Sequence, residues 1–393
     1  MIKYQEINLD NCSKELQFLL KLLNDRNDVS NLLEAFHAII NWQEFIKLVY
    51  FHKVYPTIYL KFSREDSTFL PMKVKEQIHQ LYVNNTFKML ILSKEMDDIN
   101  KAFYVKNIRV IMLKGPALSY QLYGDLSSRT SNDLDILIPF HELERTRSIL
   151  QSKGYQLEYE PPRKLKDWQK RNHHLEFLHK EKNCKVEVHW RLHPGPSKEP
   201  SFEELWNNRK TVYITDKPIY TLDEETLFLY LITHGARHGW FRIRWLTDIM
   251  QMIKNNPELV QNPLRVSEYQ AFPLFQQTVH LLERTKLISV SYSIKINKRS
   301  KMLAQKAFTF IKERIDFYHP PSKEWDKEGL KYLFEIKPFA QKLDFFIRKF
   351  AGNSWDAEVL PLPPALHFLY IPLRPFLWLW RAIIKQKVSF RRL

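Results

Sequence analysis

LKGPALSYQLYGDLSSRTSNDLDILI, residues 113–138, decides how the rest of the chain reads. Lys114 and Gly115 close an apolar run, and a short helix follows. After Arg129 come two carboxylates, Asp133 and Asp135, on either side of Leu134 and leading into an apolar run up to Ile138. Such a run reads as a strand, and alternate strand residues point the same way. Asp133 and Asp135 therefore face one side and Leu134 the other. Two acids side by side repel unless a cation sits between them, most often a divalent metal.

A later stretch, KVEVHWRL at 185–192, has the same habit. Glu187 and His189 share one face, and Val186 and Val188 take the other. An acid inside an apolar strand is costly unless it is paired or on a metal. Two strands thus offer three carboxylates, Asp133, Asp135 and Glu187, the minimum for a two-metal phosphoryl-transfer site. In such a site one ion activates the attacking oxygen and the other stabilises the leaving pyrophosphate. Lys114, Gly115 and Arg129 are the right residue types for holding a triphosphate, because glycine lets backbone approach phosphate and the cations neutralise it. D-x-D alone is common at the start of a strand. With K-G upstream, an arginine four residues before it and a third acid on a later strand, it becomes a set with assignable roles. His189 titrates near neutral pH and shares Glu187's face, which makes it a candidate substrate contact.

The K-G, R-x-x-x-D-x-D and strand-acid order resembles the DNA polymerase β-like nucleotidyltransferase superfamily. More closely, it is similar to the uncharacterised bacterial nucleotidyltransferase family. That family's pattern L-K-G-x-A-L, Y-G-D, R, D-[IL]-D-[IL]-L-[IV] is met by Leu113, Lys114, Gly115, Ala117, Leu118, Tyr123, Gly124, Asp125, Arg129 and Asp133 through Ile138. A later E/D-x-H-W matches Glu187, His189 and Trp190, and H-G-x-x-H … W-L-x-D-I matches His234, Gly235, His238, Trp245, Leu246, Asp248 and Ile249. Trp42, His52 and Pro56 also sit where such proteins have them. The likeness runs from about residue 15 to about residue 300. Two departures stand out. Gly115 is followed by Pro116, which has no N–H, where the superfamily usually has serine, and this gives Lys114 the serine's role. Glu187 stands where Asp is commoner.

The resemblance implies an α+β fold: a polymerase β-like palm, a small mixed sheet with helices on one face, flanked by N-terminal and C-terminal helical regions. It implies a Mg²⁺- or Mn²⁺-dependent nucleotidyltransferase. The donor is an NTP, and the acceptor is a hydroxyl or phosphate of a small molecule or peptide, including peptide natural products. Asp133, Asp135 and Glu187 would hold the metals, with Glu187 alternatively taking the acceptor proton. Lys114, Gly115 and Arg129 would bind the donor's phosphates.

The flanks fit this frame. The 393 residues are 44% hydrophobic and 14% aromatic, with few glycines (8) and more prolines (21), which suits a helix-rich folded chain. Residues 1–104 read as an N-terminal helical region. Ser13 caps a run through Leu23, the Tyr55-Pro56 pair breaks the chain, and Val74 to Phe103 forms a long helix burying Leu81, Met89, Leu90, Leu92 and Ile99. Residues 105–220 are the catalytic domain, 221–359 a C-terminal helical domain and 360–393 a proline-punctuated aromatic and basic tail. In the C-terminal domain Asp223 caps a helix carrying His234 and His238, one turn apart on one face. A zinc pair there would need a third ligand, so these histidines are read as lining the cleft and touching substrate. Arg244 and Asp248 have the spacing of a helix ion pair, and Trp240 and Trp245 read as core. His173 and His174 read as solvated residues at a strand start.

Two cysteines, Cys12 and Cys184, give no disulfide framework or zinc pattern and fit a reducing, cytoplasmic setting. The net charge of +16 suits phosphorylated substrates, nucleic acid or an anionic membrane face. No helix-turn-helix or RNA-recognition signature is present, so nucleic acid is not the expected partner. The start, MIKYQEINLD, is polar and unlike a signal peptide, and no run free of charge and proline is long enough to span a bilayer. The tail FLWLWRAIIKQKVSFRRL reads in two ways. It is a docked C-terminal helix, or a peripheral membrane contact through Trp378 and Trp380 with Arg381, Lys385, Lys387, Arg391 and Arg392. Two rivals to nucleotidyl transfer remain. One is glycosyl transfer from a sugar nucleotide, since D-x-D also holds that donor's metal. The other is a non-catalytic protein binding phosphate or polyanions.

Overall fold

Seven short strands form one mixed sheet: β1 (Ile111–Met112), β2 (Asp133–Leu137), β3 (Gln156–Leu157), β4 (His174–His179), β5 (Cys184–His189), β6 (Lys210–Val212) and β7 (Ile219–Thr221). Their order is β3-β4-β5-β2-β1-β7-β6. The computed structural model describes residues 4–24, 27–64, 70–165, 167–194, 198–288, 292 and 294–383. β2 and β5 run parallel, with Asp133 opposite Lys185, Asp135 opposite Glu187 and Leu137 opposite His189. β4 runs antiparallel to β5 and sets His174 opposite His189 and Glu176 opposite Glu187. The period-two alternation of these strands separates two chemistries cleanly.

One face is apolar. Leu134, Ile136, Leu175, Phe177, Val186 and Val188 pack against Met89, Leu92, Met96, Ile99 and Phe103 of the helix Met72–Val105. The helix Leu143–Ser152 adds Leu143 and Leu150 to the same core. Leu90 was expected inside, yet it is 51% exposed, because the helix's buried stripe runs through 89, 92, 96, 99 and 103. Leu81 is only partly buried.

A second core joins the two ends of the chain. The helices Lys14–Leu23, Val29–Phe36, Trp42–Phe51 and Tyr55–Arg64 share it with Glu224–Arg237, Ile243–Asn255, Phe272–Arg284 and Lys298–Lys312. Leu113, Leu118 and Leu137 tie it to the sheet. Helices therefore cover both faces of the sheet, not one. The polar patch occupies only the centre of the second face, and Leu137, Leu192 and Leu205 continue it as apolar surface that a helix must bury. Tyr55-Pro56 opens a helix rather than breaking the chain, since Pro56 sits in the first turn, where no N–H is needed. Ser13 accepts from the Leu16 N–H and Asp223 from the Thr226 N–H, as the cap positions require.

Buried His52 stitches the two ends together. Its ring Nδ1 accepts from the Ile243 N–H at 3.4 Å, and its carbonyl accepts from the Arg244 N–H at 3.2 Å. A histidine from the N-terminal helices thus serves the first turn of Ile243–Asn255, whose own N-cap, Arg242, makes no side-chain cap. Among the described residues no helix is long and apolar enough to cross a membrane. The last described helix, Tyr370–Ile383, packs through Tyr370 and Leu377 against Ala357. Trp378 and Trp380 stay 53% and 60% exposed. Lys385, Lys387, Arg391 and Arg392 lie outside the described residues, as does the side chain of Arg381.

Candidate active site

Gly115 sets the geometry at the end of β1. Its φ of +75° is a conformation open to glycine, and a Cβ there would lie 3.3 Å from the Asp133 carbonyl oxygen. The turn lets the helix Pro116–Tyr123 start hard against β2, with Pro116 in its first turn. Lys114, just before the turn, reaches across to β2 and places Nζ 2.7 Å from Asp135 Oδ1.

Asp135 is 1% exposed. Its register partner Glu187 and the next same-face residue, His189, complete a tight group. Ligand atoms of Asp135, Glu187 and His189 all lie within 4.8 Å of one another. His189 Nε2 is 3.3 Å from Asp135 Oδ1 and 3.4 Å from Glu187 Oε2. Lys185 Nζ bridges Glu187 Oε1 at 2.9 Å and Glu176 Oε2 at 2.8 Å. His174 Nε2 lies 3.2 Å from Glu176 Oε1. Cations and carboxylates alternate across three strands.

This alternation fixes the charges. Burial works to raise Asp135 and Glu187. Lys114 and the His189 hydrogen bond outweigh it, so Asp135 lies below the usual carboxylate range, and Glu187, which also faces His174, lies well below it. His189 is held above its ordinary value: burial opposes its charge, but bonds to Asp135 and Glu187 outweigh that. Asp133 goes the other way, pushed up by burial and by repulsion from Asp135. Its Oδ1 meets Ser131 Oγ at 3.3 Å, and it belongs to none of the groups with ligand atoms within 4.8 Å. The sheet thus brings Asp135, Glu187 and His189 together and leaves Asp133 at the edge of the set.

The remaining expected residues divide. Arg129 is buried, and its Nε donates to both carboxylate oxygens of Asp248 at 3.1 and 3.0 Å. The Tyr123 hydroxyl donates to the same carboxylate at 3.1 Å. The expected Arg244–Asp248 pair is therefore replaced. Arg129, distant in sequence, supplies the partner, while Arg244 Nη1 donates to the Thr130 carbonyl and hydroxyl at 2.5 and 2.9 Å.

His234 and His238 lie on the opposite wall. The helix Glu224–Arg237 crosses the acidic face, and Thr233 meets His193 Nε2, just past β5, at 3.0 Å. The rings of His234 and His238 are 4.5 Å apart. His238 stacks on Trp245 at 5.0 Å and bonds the Tyr318 hydroxyl at 3.0 Å through Nδ1. Burial, then nearby cations including Lys114, keep both histidines well below their ordinary value and so neutral. No group of three metal-ligating residues includes them among the described residues.

Four further residues belong here that the sequence reading missed. His173 and His174 are not solvated. Their rings pack at 4.3 Å and lie 5.3 and 4.9 Å from His189, and His173 and His174 form a second close group with it. Glu176 and Lys185 complete the charge pattern. The signal was available, since β4 alternates in phase with β5 and puts His174 and Glu176 on Glu187's face.

Residues 39–285 match the sequence profile of a family described as "Uncharacterised nucleotidyltransferase", well over half of the chain. The chain belongs to this family. It is a transferase with the α+β nucleotidyltransferase fold expected from its sequence. No curated protein sequence matches it. Among solved structures it is similar to the antibiotic-resistance factor ANT(2'')-Ia in solution, at 12% identity and a TM-score of 0.35, covering 48% of this chain and 96% of that one. The crystal structure of ANT(2")-Ia in complex with adenylyl-2"-tobramycin gives 10% identity and 0.35 over 46% and 97%. An antigenic nucleotidyltransferase-like protein from Paracoccidioides brasiliensis gives 16% and 0.30 over 52% and 92%.

The donor set suits a divalent cation. Both oxygens of Asp135 are buried; Oδ1 faces Lys114 and His189, and Oδ2 has no partner. Asp135 and Glu187 offer the hard oxygen ligands that Mg²⁺ and Mn²⁺ take, and His189 adds a nitrogen.

Proposed function

We propose that this nucleotidyltransferase moves a nucleotidyl group from an NTP to a hydroxyl or phosphate of a small molecule or peptide. The observation that carries this is the convergence of buried Asp135 and His189 with half-buried Glu187 beside Lys114, on a sheet face whose end meets the helix Glu224–Arg237 through Thr233 and His193.

The acceptor oxygen bonds to the α-phosphorus, the bond to the bridging oxygen breaks, and pyrophosphate leaves. Lys114 neutralises charge on the donor phosphates, and the turn at Gly115 lets backbone approach them. Asp135 and Glu187, with Asp133 at the edge, would hold Mg²⁺ or Mn²⁺. When bound, such an ion supplies charge neutralisation at the reacting oxygens. Glu187 stays ionised through the neutral range, which favours a ligand role over that of a base. Cytoplasmic residence and contact of the exposed Trp378 and Trp380 with an anionic membrane surface belong to the same proposal.

The test titrates the full chain with each NTP and with common sugar nucleotides, with and without Mg²⁺, and repeats this on the Asp133→Ala/Asp135→Ala double variant. Metal-dependent binding of an NTP, lost in the double variant, is the expected result. Preference for a sugar nucleotide would replace nucleotidyl with glycosyl transfer. Salt-sensitive polyanion binding without turnover would leave a binding protein.

A further inference from the structure

Arg237 ends the helix Glu224–Arg237 and shares its site-facing side with Tyr230 and His234, at spacings of seven and three residues. Tyr230 lies 5.9 Å from the His193 ring, which fixes that side of the helix against the end of β5. The Arg237 Nη1 atom is fully enclosed and has no hydrogen-bond partner. Among the described residues its guanidinium makes no ion pair or hydrogen bond. Glu187 and Glu199 are the carboxylates whose charge reaches it, neither in contact, and burial pushes its pKa down.

A guanidinium cannot escape such a position by losing its proton. Arg237 as a whole is half-buried, and enclosing even part of a guanidinium with no counter-charge in contact is costly. Arg129 shows the contrast, since its Nε donates to both oxygens of a buried carboxylate. Tyr318, beyond the residues matched to the family, reaches the same rim through His238, so the C-terminal region of this chain contributes to the cleft.

We propose that Arg237 seats the terminal phosphates of the donor, an anion site facing Lys114 across the cleft. A planar fork of donors matches phosphate oxygens two at a time, and a bound polyphosphate supplies the missing counter-charge. The proposal rests on the nucleotidyl reading only for the identity of the ligand as an NTP. The site itself requires a polyphosphate.

The experiment measures binding of inorganic tripolyphosphate and of each MgNTP to the full chain, to Arg237→Gln and to Arg237→Lys, by calorimetry. Melting temperatures are recorded for all three proteins. The expected result is at least tenfold weaker binding of tripolyphosphate and NTP to Arg237→Gln, partly restored in Arg237→Lys. Arg237→Gln should melt at or above the wild-type temperature without ligand, because a half-buried cation with no counter-charge in contact is gone. Tripolyphosphate that binds through Arg237 while no NTP binds would keep the site and remove the nucleotidyl reading. Wild-type tripolyphosphate binding unchanged in Arg237→Gln, or absent altogether, would overturn the site. NTP binding that survives in either case would leave the nucleotidyl reading standing.

Discussion

The two faces of the sheet are built from the same strands and differ by one residue of register. On one, Leu134, Ile136, Phe177, Val186 and Val188 pack against the helix Met72–Val105. On the other, Asp135, Glu187, His189, Lys185 and Glu176 alternate in sign under the helix Glu224–Arg237. Both are buried. The first is held by burial of apolar surface, which needs no partner geometry. The second exists only because each charge meets another, and Arg237, which meets none, shows where a ligand would enter that pattern. The pleat thus lets one segment of five residues, Asp133–Leu137, serve stability and chemistry at once.

The contrast breaks most severely where packing is removed. Phe177→Ala should cost about 3–5 kcal/mol of stability, read as a lower urea midpoint, with donor binding intact in whatever fraction stays folded. Asp248→Ala should cost a similar amount, about 3–5 kcal/mol, by leaving Arg129 buried without its counter-charge. If it were nearly neutral, Arg129 would be free for phosphate after all. His52→Ala should cost about 1–2 kcal/mol through loss of the ring that serves the first turn of Ile243–Asn255.

Two smaller effects concern pH. Burial lowers His52 to about 3. The unfolded chain protonates this histidine near its ordinary value while the folded chain resists, so stability is present above pH 6.5 and falls as pH drops towards 3. The loss in melting temperature over that window should shrink in His52→Gln. Asp133 has the opposite sign. Its folded pKa is raised, so it favours the folded state at low pH and loses that contribution as pH rises through its folded value. Asp133→Asn should therefore melt slightly higher than wild type at neutral pH, and a lower melting point would contradict the repulsion from Asp135.

Much of this was legible in the sequence. The alternation around Asp133 and Asp135, the same alternation in 185–192 and the K-G turn located the sheet and its acidic face, because period two is a local property. The Arg129–Asp248 pair was not legible, because the partners lie 119 residues apart. At the sequence level an arginine before D-x-D looks the same whether it holds phosphate or Asp248. The three-residue β6 and β7 leave too short a period to detect. His173 and His174 were readable in phase with Glu176, but adjacent histidines at a strand start suggest solvent until the neighbouring strand's register is known. Arg237 had no sequence signal beyond its spacing from His234, since lacking a partner is a fact of packing.

The most direct measurement is MgNTP and MnNTP binding to Asp135→Asn, with circular dichroism and melting recorded on the same sample. The account predicts a folded protein in which metal-dependent binding falls at least tenfold. A folded Asp135→Asn protein that binds the metal–nucleotide as wild type does would contradict the assignment of the acidic face as the catalytic centre.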